Sequence, residues 1–176
     1  MEILRAINDN QIIPQDRFTT LMDEYSNSVY RFCRSLTYSK EDADDLFQET
    51  FLKAFEHQSK EGALTNPQSF LFSTSLYLWK SWKRKYARRK RLAPIEPLDE
   101  TISVGIEMED TFMEQEEIRI VREVVKALPD KFKIPILLYY TIEMSVSDIA
   151  LTLNLPVGTV KSRLFKARKL VEKGLV

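Results

Sequence analysis

Residues 145–168 of this 176-residue chain, SVSDIALTLNLPVGTVKSRLFKAR, contain its most informative structural pattern. Ser145 and Asp148 have the S-x-x-D spacing of a helix capping box, and an apolar run follows them. A short turn at residues 154–156 contains Asn and Pro, and a second helix follows it. Apolar residues recur in that helix at steps of three and four, which defines its inward face: Val160, Leu164, Ala167 and Val171. A capped helix, a tight turn and a second helix together predict a helix-turn-helix.

The second helix of this pair has the chemistry of a recognition helix. Gly158 and Thr159 stand at its start, where free backbone N–H groups and the helix dipole attract phosphate. Side chains from the first turns of a recognition helix meet base edges in the major groove. The predicted DNA-contacting residues are Thr159, Lys161, Ser162, Arg163, Phe165 and Lys166. The alternative interpretation is a solvated basic surface helix.

The distribution of charge matters more than its total. The chain has 26 basic and 26 acidic residues, a net charge of zero, which by itself argues against a nucleic-acid partner. However, residues 80–91 contain eight bases and no acid, and residues 161–173 contain six bases opposed only by Glu172. Residues 96–117 contain nine acids and no base. This segregation indicates two basic surfaces joined by an acidic connector.

Composition excludes several classes of protein. Four glycines and seven prolines in 176 residues favour an all-α fold over turn-rich β classes. The single cysteine, Cys33, excludes an internal disulfide and a cysteine-cluster metal site, and we expect it to be a buried packing residue. The single histidine, His57, leaves little scope for histidine-based catalysis. No apolar run reaches the roughly 18 residues of a membrane span, and no signal peptide is evident, so we expect a cytoplasmic protein.

Three helices are predicted upstream of residue 92. The first has an apolar stripe, Phe18, Leu21, Met22, Tyr25, Val29, Phe32, Cys33 and Leu36. The second begins at the N-cap Ser39 and stops near Gly62. The third follows Asn66-Pro67 and covers residues 68–91.

Downstream, residues 92–110 lack periodicity and are predicted to be a linker. Thr111 and Glu114 form a T-x-x-E capping box before a further helix, whose stripe is Met113, Ile120, Val121, Val124, Val125 and Leu128. Another boundary is predicted at Leu128-Pro129. The next short helix, residues 134–140, should start late or bend, because Pro135 lacks an N–H donor and clashes one turn back.

The third helix interleaves aromatic and basic residues. Strand separation in DNA requires aromatic rings that stack on exposed bases and cations that hold the backbone. The predicted melting residues are Trp79, Lys80, Trp82, Lys83, Arg84, Lys85, Tyr86 and Arg88. The alternative for each Trp is a place in the core, and at least one is expected there.

Residues 128–170 resemble region 4 of the extracytoplasmic-function (ECF) sigma factors, most specifically in PVGTVKSRLFKAR at 156–168. Residues 42–55, DADDLFQETFLKAF, resemble region 2.2 of the same family, and residues 66–71, NPQSFL, resemble the start of regions 2.3 and 2.4. The resemblance implies a tail at 1–15, a region 2 domain at 16–91, an acidic linker at 92–110 and a region 4 domain at 111–176. The implied fold is therefore two small helical domains joined by that linker.

The resemblance also implies partners. Region 2.2 would dock on the clamp helices of the polymerase beta-prime subunit through an acidic, hydrogen-bonding surface: Asp44, Asp45, Phe47, Gln48 and Glu49. Region 4 would bind the minus-thirty-five promoter element and pack on the beta flap. Promoter DNA and core RNA polymerase are thus the implied partners, and an anti-sigma factor is a further one, because the family is commonly restrained by such proteins. No cofactor, metal or small-molecule substrate is implied, and the chain is not expected to be an enzyme.

The chain departs from the family pattern at three positions. Phe70 stands where the family usually has Trp, Tyr77 lies near a usual Asn, and Ser81 lies near a usual Asp. The minus-ten base preference therefore does not follow from the resemblance. Two other functions are left open by the residues: a helix-turn-helix regulator that works without polymerase, and an RNA-binding or protein-interaction adaptor that uses residues 80–91. An ordinary solvated face is the alternative for the acidic surface, and acid/base or metal chemistry there lacks a histidine partner.

Overall fold

A computed structural model describes residues 14–37, 39–92 and 116–175 of the chain. The elements within these ranges are all α-helices, so the all-α prediction is confirmed. The chain divides into two compact units, residues 1–89 and 90–176. The first contains α1 (Pro14–Leu36), α2 (Lys40–Glu61) and α3 (Pro67–Leu92), of which α3 runs three residues past the division. The second contains α4 (Glu116–Ala127), α5 (Asp130–Tyr140), α6 (Val146–Leu153) and α7 (Val157–Gly174).

The helix ends of unit 1 follow the capping residues predicted for them. The Oγ of Ser39 accepts a hydrogen bond from the Asp42 N–H at 3.0 Å, which satisfies one free donor at the start of α2. Gly62 ends α2 with φ of +87°, a left-handed conformation that favours glycine. The side-chain oxygen of Asn66 accepts from the Ser69 N–H at 2.9 Å and caps α3. These three signals therefore set both ends of α2 and the start of α3.

The core of unit 1 joins all three helices. Phe32 of α1 packs edge-on against Phe72 of α3, with ring centroids 5.2 Å apart. Cys33 is fully buried beside them, as predicted, and burial raises the pKa of its thiol to about 12. The buried hydroxyls of Thr50 and Ser75 share a hydrogen bond of 3.1 Å between α2 and α3. Cys33 is thus a neutral packing residue rather than a thiolate.

In unit 2, α6 and α7 form the predicted helix-turn-helix. The Ser145 hydroxyl oxygen accepts from the Asp148 N–H at 3.1 Å and caps α6. Asn154 ends α6 in the left-handed conformation, at φ of 50° and ψ of 53°, which turns the chain into α7. The buried residues of this pair include Ile149, Ala150, Val160, Leu164 and Ala167. The inward face predicted for α7 is confirmed.

Two expectations in unit 2 were wrong. The helix expected at residues 134–140, α5, begins at Asp130, five residues before Pro135, so it does not start late, and the bend given as the alternative stays a prediction. It includes Pro135 because the segment from Lys133 to Leu138 is buried, and that burial offsets the missing donor. In α4, Ile120 and Val121 are exposed, so the apolar stripe is buried only toward Leu128.

Several predictions lie outside the described residues: the capping box at 111–114, the burial of Met113 and the linker beyond residue 92. Across the described ranges, no helix combines the length and apolar character that a membrane span needs.

Candidate nucleic-acid interface

The outward face of α7 presents the predicted recognition residues. Because Val160, Leu164 and Ala167 are held in the core, the opposite side of the helix faces solvent. Phe165 is 58% exposed there, although most of a phenylalanine ring is usually buried. Lys161, Ser162 and Lys166 are also exposed, and Thr159 and Arg163 are half-buried. The Ser162 hydroxyl donates to the Thr159 carbonyl at 2.9 Å, so its oxygen remains available as an acceptor.

The basic side chains of α7 have no acidic partners within the described part of the chain. None of them forms an ion pair with a described carboxylate, although Glu172 lies on the same helix: Lys161, Arg163, Lys166, Arg168, Lys169 and Lys173. Two of them lie over aromatic rings instead. The Lys169 ammonium is 5.2 Å from the Phe165 ring centroid, and the Arg168 guanidinium is 5.7 Å from that of Tyr139. These bases therefore give the surface a strong positive potential, which suits a polyanion.

The aromatic residues of α3 differ sharply in exposure. Trp79 is only 5% exposed, so its ring belongs to the core of unit 1 and is not accessible to a DNA base. The Lys83 ammonium lies 4.5 Å from its ring centroid. Trp82 is half-buried, and Tyr86 is 65% exposed. The prediction that at least one Trp is core is confirmed, and Trp79 is removed from the melting surface.

The bases predicted on α3 face solvent as far as the structure describes them. Lys80, Lys83, Arg84, Lys85 and Arg88 are all exposed. They precede and follow Tyr86 in sequence on the C-terminal half of the helix. Residues 80–88 of α3 thus combine an exposed aromatic ring with exposed cations.

The acidic surface on α2 divides into exposed and packed residues. Asp45 and Gln48 are exposed. Asp44 accepts a hydrogen bond from the Tyr30 hydroxyl at 2.9 Å, and this carboxylate raises the pKa of Tyr30, after the larger effect of burial. Phe47 packs edge-on against the Tyr30 ring at 5.6 Å and is half-buried, as is Glu49.

Sequence reasoning missed Leu52 on this surface. It is 54% exposed and lies four residues after Gln48, so Asp45, Gln48 and Leu52 share one side of α2. The signal was present, because Leu52 falls off the inward stripe that contains Leu46 and Phe51. Leu52 thus adds an exposed apolar side chain to the acidic and amide groups of this surface.

A cleft of about 540 Å³ separates the C-terminal half of α2 from the N-terminal half of α3. His57, for which no role was predicted, lies in this cleft with its ring centroid 4.8 Å from that of Phe70. Its Nε2 is 3.2 Å from the Glu61 carboxylate. Phe70 and Tyr77, two of the three positions that depart from the family pattern, both line the cleft. The lining also includes cations, carboxylates and hydroxyls: Lys53, Glu56, Lys60, Ser73 and Thr74.

The described residues contain no group of three or more side chains placed to hold a metal ion. Unit 1 carries a basic-aromatic surface on α3, a cleft between α2 and α3 and an acidic surface on α2, and unit 2 carries a basic recognition helix. The chemistry that these surfaces offer is charge, stacking and hydrogen bonding.

Comparison with known proteins yields two family models that each match one unit. The model for sigma-70 region 2 matches residues 21–89, and the model for sigma-70 region 4 matches residues 118–171. The ECF RNA polymerase sigma factor SigW of Bacillus subtilis is 29% identical over 182 residues, covering 99% of this chain and 97% of its own. SigM of the same organism, also an ECF RNA polymerase sigma factor, is 30% identical over 148 residues, covering 82% of this chain and 86% of its own.

Two solved structures share the fold. The sigma factor RpoE of Bartonella quintana, in complex with the anti-sigma factor NepR, matches with a TM-score of 0.73 and 22% identity. The match covers 90% of this chain and 96% of RpoE. CnrH, in complex with the cytosolic domain of CnrY, matches with a TM-score of 0.63 and 21% identity, covering 90% of this chain and 87% of its own.

Proposed function

The chain belongs to the ECF RNA polymerase sigma factors, which act in promoter recognition, and on that premise we propose how its surfaces divide this work. In this proposal α7 reads the upstream promoter element, α3 and its cleft hold the melted strand, and α2 docks on core RNA polymerase. The observation that carries the proposal is the recognition helix, whose basic residues have no described acidic partner and whose outward face presents an exposed phenylalanine.

The proposed roles on α7 follow from exposure. Lys161 and Lys166 are exposed flexible cations, which suit phosphate or guanine contacts. Phe165 is apolar, and the apolar group that base edges present in the major groove is the 5-methyl of thymine. We therefore assign Phe165 to thymine and Ser162, with its free acceptor, to a base-edge donor. Thr159 and Arg163, being half-buried, would contact the backbone near the start of the helix.

The proposed melting surface is Trp82 and Tyr86 with the surrounding bases of α3. A ring that is exposed on one side can stack on an unpaired base, and lysine and arginine hold the strand by its phosphates. The adjacent cleft has aromatic walls and polar groups of both charges, which suit one flipped base. Because Phe70 and Tyr77 line it, the base chosen there is set by residues at which this chain departs from the family.

The proposed polymerase-docking surface is Asp45, Gln48 and Leu52, with Asp44, Phe47 and Glu49 packed behind it. Exposed acid and amide groups complement a basic helical partner, and Leu52 supplies an apolar anchor. The partner implied by the family is the clamp helices of the beta-prime subunit. The region 4 unit would similarly contact the beta flap.

We also propose that the chain catalyses no reaction itself and acts in the cytoplasm, where core polymerase supplies the polymerisation chemistry. An anti-sigma factor is a proposed regulatory partner, because both structural neighbours were solved with a binding protein, and NepR is an anti-sigma factor.

The test is in vitro selection of promoters with purified core polymerase, followed by run-off transcription. A defined promoter and a run-off product are expected. Promoter-independent DNA binding without core association would support a helix-turn-helix regulator, and RNA or protein binding alone would support an adaptor.

Docking is tested by charge reversal. Asp45→Lys should abolish pull-down of core polymerase, and the matched control Asp23→Lys, an exposed acid on α1, should leave it intact. Equal pull-down by both variants would contradict the assignment of α2.

A further inference from the structure

Two consecutive tyrosines at the end of α5 lie beside the recognition helix. The Tyr139 and Tyr140 ring centroids are 4.9 Å apart, and Tyr140 is 57% exposed. Tyr139 is half-buried, and the Arg168 guanidinium of α7 lies 5.7 Å from its ring centroid. Neither tyrosine was predicted to have a role, and Arg168 lies outside the predicted recognition set.

The position of Arg168 on α7 places it on a flank of the base-reading face. Lys161 and Arg168 are seven residues apart, so they lie within about 20° of each other around the helix. Both are about a quarter turn from the outward direction, which is opposite the buried Val160 and Leu164. A helix in a major groove about 12 Å wide has a phosphate backbone on each side, so its flanks face phosphates rather than base edges.

The chemistry of this flank fits a phosphate. The Arg168 guanidinium has no described carboxylate partner, and stacking on Tyr139 limits its freedom while leaving its donors available. Tyrosine hydroxyls are among the groups that donate to phosphate oxygens in protein–DNA complexes.

We propose that Arg168, held by Tyr139, binds a backbone phosphate of promoter DNA beside the base-reading face of α7, and that the exposed Tyr140 hydroxyl donates to the same backbone. The inference rests on the proposed function of α7 as the recognition helix. It adds a phosphate contact and a positioning residue that the recognition set lacks.

The first test measures how salt affects binding of the holoenzyme to a duplex carrying the selected upstream element. Loss of one phosphate contact lowers the slope of log affinity against log salt by about 0.9. Arg168→Gln should show that decrease in slope. Its loss of affinity relative to the wild type should therefore become roughly threefold smaller between 50 and 200 mM salt. Lys131→Gln is the matched control, because it removes an exposed cation that lies about 12 Å from Tyr139 along the axis of α5. An unchanged slope in Arg168→Gln would overturn the proposal.

The second test locates the phosphate. Single neutral methylphosphonates are placed along the element, and one position should weaken binding by the wild type but not by Arg168→Gln. Tyr139→Phe keeps the stacking ring and should retain this sensitivity, whereas Tyr139→Leu should lose it while still unfolding cooperatively. Tyr140→Phe should weaken binding without changing stability. If every position weakens both proteins equally, Arg168 makes no phosphate contact.

The failures of the two proposals are distinguishable. If the wild-type holoenzyme does not distinguish the selected element from random duplex, the assignment of α7 itself is wrong. If it does and the Arg168 and Tyr140 variants match the control, only the flanking contact is wrong.

Discussion

Replacing Trp79 and Tyr86 by alanine separates stability from promoter melting on a single helix. Both are aromatic residues of α3, seven positions apart, but Trp79 is 5% exposed and Tyr86 is 65% exposed. Removing a buried Trp side chain costs about 3–5 kcal/mol, and loss of the Lys83 cation–π contact adds about 0.5–1 kcal/mol. This is a large part of the roughly 5–15 kcal/mol that stabilises a domain. Tyr86→Ala should change the free energy of unfolding by no more than about 0.5 kcal/mol.

The assay is urea unfolding of the full chain, followed by permanganate footprinting of promoter opening with core polymerase. Trp79→Ala should lower the midpoint of the unit 1 transition by about 2–3 M urea, given a slope of about 2 kcal/mol/M. Tyr86→Ala should leave the midpoint unchanged and reduce open complex roughly 5- to 150-fold, the equivalent of one stacked base. The reasoning is refuted if Trp79→Ala unfolds at the wild-type midpoint, or if Tyr86→Ala opens promoters normally.

Three further predictions concern single residues. Phe165→Ala should remove a roughly fourfold preference for thymine over deoxyuridine at one position of the upstream element, because one buried methyl contributes about 0.8 kcal/mol; binding to duplexes substituted one thymine at a time would show it. Glu143 has a φ of 59° in the loop before α6, so Glu143→Gly should relieve strain and raise the free energy of unfolding of unit 2 by about 0.5–1 kcal/mol in urea titrations. Folding raises the pKa of Cys33 from about 9 to about 12, so its contribution to stability is complete below pH 9 and is lost as pH rises toward 12. Between pH 8 and pH 10 the wild type should therefore lose about 1 kcal/mol more stability than Cys33→Ala, and equal losses would contradict this.

Local signals predicted most of the fold because each acts within a few residues. Ser39 and Ser145 accept hydrogen bonds from backbone N–H groups at the start of their own helices, and Gly62 ends its own helix. The effect of each can therefore be predicted without knowledge of the tertiary structure. The prediction at Pro135 was wrong because the free-energy cost of its missing N–H donor is offset by burial against other helices. A short window of sequence does not show that burial. Periodicity also failed to separate Trp79 from Tyr86, since both fall on one side of an ideal helix while only the first is covered by neighbouring elements.

The site was less predictable for the same reason. The recognition face on α7 followed from its inward stripe, because one buried face defines the opposite one. The cleft position of His57 and the Tyr139–Arg168 contact depend on which helices are adjacent, and their sequence neighbours do not encode this, whereas the exposure of Leu52 could have been inferred from the inward stripe of α2. Residues whose function requires two elements therefore needed the structure, whereas residues whose function requires one helix face did not.

The zero net charge has a consequence for how such a chain finds DNA. The bases of α7 and α3 create strong local fields, but fields from exposed charges are screened within about 8 Å at physiological salt. Long-range attraction depends on the summed charge, and that sum is zero, so steering of the free chain toward DNA is weak.

Each basic helix alone can neutralise only a few phosphates, and affinity falls steeply with salt for each of them. Simultaneous engagement changes this, because once one element is bound the second binding event becomes intramolecular and no longer depends on the bulk concentration of the chain. A neutral chain with two segregated basic helices is therefore suited to bind a promoter only when both units are presented together, which is what assembly with core polymerase would provide.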